Sequence, residues 1–87
     1  MNEEHIRKVK RLLTSWNPLG ERSNQISDLN EYETEAVDIL FHINKQHSVD
    51  QIANLTITVL DEAFGLEISK ADTMPYAGQI YKIIREK

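Results

Sequence analysis

At 87 residues with 40% apolar side chains, the chain has material for one core, so residues 1–87 are expected to form a single helical domain. The absence of cysteine excludes disulfides, thiolate zinc sites and cysteine nucleophiles, and leaves packing to hold the fold. A net charge of −4 and a pI near 5.3 disfavour nucleic acid as a partner.

The longest unbroken apolar run, Ile39-Leu40-Phe41, is far too short to span a membrane. The beginning, Met1-Asn2-Glu3-Glu4, is acidic where a secretion signal is basic. The expectation is a soluble, cytoplasmic protein. A domain this small buries about 60–65% of its unfolded surface, and its stability is expected on the order of 5 kcal/mol.

A first helix is expected from Asn2 to Trp16. Ile6, Val9, Leu12, Leu13 and Trp16 recur at helical spacing. Glu3 and Glu4 suit the positive end of the helix dipole. Asn17-Pro18 stops it, because the residue before proline is pushed out of the right-handed helical region. Gly20 then permits a turn with positive φ. Ser23 to Leu29 shows no period and reads as a long polar loop.

Asn30 is expected to cap a second helix, with Glu33 completing a capping box. This helix should run to Gln46. Tyr32, Ala36, Ile39, Leu40 and Ile43 share one face, widened by Val37 and Phe41. Glu31, Glu35, Asp38 and His42 form the opposite stripe, at spacings of four, three and four.

Ser48 and Gln51 make a capping box for a third helix, and Gly65 ends it. Its apolar residues cover more than half the helical wheel, leaving a narrow polar strip of Asp50, Asn54, Thr58, Asp61 and Glu62. The third helix is therefore expected to be the central, most buried one. Leu55-Thr56-Ile57-Thr58-Val59-Leu60 is β-branched enough for a strand, but it has no partner strand and good caps bracket it. A fourth helix is expected to start at Asp72 or Thr73, with Pro75 in its first turn. Tyr76, Ala77, Ile80, Tyr81, Ile83 and Ile84 form its apolar stripe. The fold class expected is all-α: a compact four-helix domain with a long polar loop between helices 1 and 2.

Charge is segregated along the chain. Residues 17–73 carry eleven acids against Arg22, Lys45 and Lys70, a net of −8, while residues 1–16 and 74–87 each carry +2. The basic ends can lie against the acidic middle, or the middle can present a face to a basic partner.

Few residues recommend themselves for chemistry. Glu35, Asp38 and His42 could converge on a divalent ion, with a further ligand from His47 or Glu31. No established zinc spacing is present, and one stripe supplies fewer converging ligands than a metal site needs, so the stripe reads first as a solvated helix face. No serine sits in a nucleophile elbow and no glycine-rich phosphate loop exists. No catalytic residue, cofactor or metal site is expected. A helix-turn-helix reading would put Asp50, Asp61 and Glu62 against phosphates. Trp16, beside the polar loop, is either a partner-binding hot spot or an anchor that folds the loop onto the core.

Trp16-Asn17-Pro18-Leu19-Gly20, then Glu31-Tyr32, then Phe64-Gly65-Leu66 resemble the small YugE-like proteins of Bacillus and relatives. The resemblance covers residues 12–66. Relatives of that kind often carry aspartate where this chain has Asn17 and Asn30. The resemblance implies a small all-helical domain of unassigned function, and it brings no catalytic residues with it.

The resulting expectation is a bacterial protein–protein interaction module, an adaptor or an antitoxin- or immunity-like inhibitor of a basic partner. Trp16, Glu31, Glu35, Asp38 and Phe41 are its candidate partner-binding residues. A metal-binding protein or metal-dependent enzyme using the helix 2 stripe is the alternative, and a DNA-binding regulator a further one. Oligomeric state is not legible.

Overall fold

The computed structural model describes residues 2–25 and 29–86, apart from the side chains of Arg22 and Gln25. Four α-helices are present among these residues: α1 (Glu3–Trp16), α2 (Glu33–His42), α3 (Val49–Phe64) and α4 (Lys70–Arg85). No strand occurs among them, so the β-branched run in α3 is helical.

α1 starts at Glu3, with Asn2 as its cap, the Asn2 Oδ1 accepting from Glu4 N at 2.8 Å. The other strong local signals are realised as read. Asn17 turns left-handed (φ 50°) and its N–H closes on Leu13 O at 2.7 Å. Gly20 takes φ +60°, the region open to a residue without Cβ. Ser48 and Gln51 form the reciprocal capping box on α3, and Gly65 (φ +66°) ends it.

Four expectations about where elements begin and end are corrected. Part of the predicted loop is structured: Gly20–Gln25 is a 3₁₀ helix, closed by Ser23 Oγ donating to Gly20 O at 2.9 Å. Residues 26–28 of that loop lie outside the described residues. The Asn30 cap does not form. Asn30, Glu31 and Tyr32 instead make one 3₁₀ turn with φ of 46°, 57° and 64°, and the Asn30 side chain donates to Glu33 Oε2 at 2.8 Å.

α2 stops at His42, four residues before the predicted end. Ile43 is extended, and Asn44 Oδ1 accepts from Gln46 N at 2.8 Å, a side-chain turn that competes with the helix. α4 begins earlier than predicted because Ser69 caps it, accepting from Asp72 N at 3.0 Å. Pro75 thus lies inside the helix, beyond its first turn.

The helices pack as a ring. α1 meets α2, α2 meets α3, α3 meets α4 and α4 meets α1, whereas the diagonal pairs do not approach. α3 is therefore not central. The core between the four contains Val9, Leu13, Tyr32, Ile39, Ile52, Leu60 and Ile80, each at most 2% exposed. Two threonines are also fully buried. Each satisfies its hydroxyl on the carbonyl four residues back: Thr56 on Ile52 O (2.8 Å) and Thr73 on Ser69 O (2.9 Å). The radius of gyration, 12.0 Å, matches the ~12 Å expected of a compact chain of this length.

Candidate functional site

The residues singled out in the sequence separate into an internal node and a surface groove. The node is built by Tyr32. Its hydroxyl donates to Asn17 Oδ1 at 2.7 Å and accepts from Leu19 N at 3.3 Å. Asn17 Nδ2 in turn donates to Gly20 O at 3.2 Å, and Phe64 meets the Tyr32 ring edge-on at 6.1 Å. Thr14 donates to Glu31 O at 3.3 Å. One phenol therefore ties the end of α1, the start of α2 and the end of α3. Burial pushes its hydroxyl above the ordinary phenolic value; the Leu19 N–H opposes the rise and the Glu35 carboxylate adds to it.

Trp16 is half-buried and stacked on Tyr76, with centroids 4.3 Å apart and planes 12° from parallel. It fastens α1 to α4. Glu31 is exposed but sits in the left-handed turn before α2 rather than on the helix.

Glu35 corrects the expected exposed stripe, for it is only 7% exposed. The reason is register: Glu35 lies one turn before Ile39, on the face that buries Ala36, Ile39 and Leu40. The stripe of Glu31, Glu35, Asp38 and His42 is thus split, and only Asp38 and His42 remain as an exposed i, i+4 pair on α2. Among the described residues no group of three His, Asp or Glu side chains could hold a metal ion.

Asp38 and His42 form one wall of a groove of about 430 Å³ between α2 and α3. The other wall is a regular α3 stripe, Leu55, Thr58, Val59, Glu62 and Ala63. These recur at i, i+3, i+4, i+7 and i+8, one helical face. Here lies the surplus of the wide apolar arc: Leu55 is half-buried and Ala63 exposed, while the ring packing covers Ile52, Ala53, Val59 and Leu60. Beside the groove Phe41 is 73% exposed, its ring edge-on to His42 at 5.3 Å.

The sequence reading found Asp38 and Phe41 but missed the α3 wall. The wide apolar arc of α3 was legible, but which flank of it the two neighbours, α2 and α4, leave facing water was not.

Electrostatics set this groove apart from the other concavities. Neither α2 nor α3 contains Lys or Arg. The ion pairs among the described residues join Arg7 to Glu4 (2.9 Å), Lys10 to Glu33 (3.3 Å), Lys70 to Asp50 (2.6 Å) and Lys8 to Glu86. None involves Asp38 or Glu62. A second concavity, about 350 Å³ beside Ile6, holds Arg7 and Lys10 together with Glu3 and Glu33 and is internally neutralised.

Comparison of the chain with protein-family models, with curated proteins and with solved structures returns no match.

Proposed function

We propose that this protein is an interaction module that docks a basic protein through the α2–α3 face, acting as an adaptor or as an antitoxin- or immunity-like inhibitor. The observation that carries the reading is Phe41, a large aromatic 73% exposed, next to a groove with apolar lining from Leu55, Val59 and Ala63, whose two carboxylates pair with no cation among the described residues. Exposed aromatics next to a concavity are the material of binding hot spots. Unneutralised acids on the rim select a positive partner and steer its approach.

Asp38 and Phe41 are the partner-binding residues this reading keeps. Trp16 and Glu35 act in the fold, through the Tyr76 stack and the α2 packing face. We also propose that the chain is a YugE-like domain of the bacterial cytoplasm. What supports this is that Asn17, Leu19, Tyr32 and Phe64, all from the resembling segments, meet in one hydrogen-bonded and packed node. On that view the shared motif specifies architecture rather than catalysis.

The test uses a synthetic amphipathic helix of lysine and leucine as probe. Titrated into isotope-labelled protein, it should shift the amide signals of α2 and α3 around Asp38, Phe41 and Glu62. Phe41→Ala and Asp38→Lys should each weaken binding on the order of tenfold or more. Shifts centred on the Trp16–Tyr76 stack, or affinity indifferent to both substitutions, would discard this face.

A further inference from the structure

Resting on the docking reading above, we propose that the α2–α3 groove is a receptor for a single arginine side chain of the basic partner. The groove has the two-part chemistry such a side chain needs. Its α3 wall supplies Leu55, Val59 and Ala63, which can cover the methylene stem. Its walls bring a carboxylate from each helix, Asp38 on α2 and Glu62 on α3, to the charged end. Long cationic side chains bind in this divided manner, stem on apolar surface and head among acceptors.

Three observations select arginine. The carboxylates come from opposite walls, and a planar guanidinium with five donors can serve two acceptors at once, whereas an ammonium is a point charge. One ring, His42, lines the groove, and the Phe41 ring lies edge-on to it. Guanidinium groups stack on such rings. Finally, the chain itself seats a guanidinium on an aromatic ring. Arg85 lies over the Tyr81 ring, 3.5 Å from its centroid, and donates to the Lys45 carbonyl. About 430 Å³ falls within the range of sites that enclose a small ligand group.

Three versions of one short lysine-containing peptide, with arginine, citrulline or lysine at a single central position, test the proposal. Each is titrated into labelled protein and read from the groove amides. Citrulline keeps the shape and loses the charge; lysine keeps the charge and loses the plane. The arginine peptide should bind on the order of tenfold more tightly than either. That preference should vanish in Asp38→Asn/Glu62→Gln, whose amide signals outside the groove should stay in place and report an intact fold. Phe41→Leu, which keeps an apolar side chain without a π-face, should reduce the margin of arginine over lysine. Equal binding of the three peptides at the groove overturns arginine recognition while leaving the docking face standing. Binding of none, together with failure of the lysine–leucine helix, overturns both.

Discussion

Tyr32 sits in the left-handed region at φ 64°, a conformation that costs a residue with a side chain about 1–2 kcal/mol. What offsets the cost is its hydroxyl, which satisfies Asn17 Oδ1 and the buried Leu19 N–H together. Tyr32→Phe keeps the ring and its packing on Phe64 but leaves both groups without that partner. It should destabilise the domain by about 1–3 kcal/mol. A urea melt unchanged by this substitution would show that the node does not hold the bend.

The same hydroxyl makes an alkaline prediction. Its folded-state pKa is raised, so the folded chain keeps a proton that the unfolded chain releases near pH 10. The resulting stability is full below the unfolded value and is lost as pH rises through the folded one. Ultraviolet titration should show a tyrosine step above the ordinary phenolic range. That late step should be missing from Tyr32→Phe.

Among the elements, α3 shows how a helix can be well capped, strongly apolar and yet not central. Its ends were legible because Ser48, Gln51 and Gly65 act locally, through side-chain and φ preferences that need no tertiary partner. The end of α2 was not, because Asn44 substitutes a side-chain turn for the next helical bond. The start of α2 was misread for a related reason. Three successive left-handed residues are held by contacts from α1, which no local pattern announces. Glu35 faced inward against its charge because the buried arc of a helix follows its packing partners, while a stripe read from sequence follows residue type. Half of the groove, the α2 side, was thus foreseeable from spacing; the α3 side depended on knowing that the bundle closes as a ring and leaves one flank of α3 uncovered.

That distinction can be measured. Leu60 is fully buried, so Leu60→Ala should cost about 2–5 kcal/mol. Leu55 lies on the groove wall and is half-buried, so Leu55→Ala should cost about 1–2 kcal/mol, in keeping with the smaller area it removes from water. Equal destabilisation of the two in thermal melts would place Leu55 in the core and close the groove.

Across the whole molecule, charge has two separate duties. The cations of α1 and α4 meet acids at Lys8–Glu86, Lys10–Glu33 and Lys70–Asp50. These side chains are 22–62% exposed, and ion pairs of this kind contribute about 0–1 kcal/mol each. The helices α2 and α3 carry no Lys or Arg, and Asp38 and Glu62 pair with no cation among the described residues. Added salt weakens the pairs and screens the unpaired like charges from one another, two small effects of opposite sign. Raising ionic strength from about 0.01 M to 0.15 M, which shortens the screening length from about 30 Å to 8 Å, should therefore move the melting temperature by no more than a few degrees. Association with a basic partner should respond far more, because steering acts over distances that salt screens. The on-rate for the lysine–leucine helix should fall several-fold over the same range, and Asp38→Lys should flatten that dependence. A large loss of thermal stability in salt would mean instead that the basic ends of the chain are held on its acidic middle by charge, and that the carboxylates of α2 and α3 are committed to the fold.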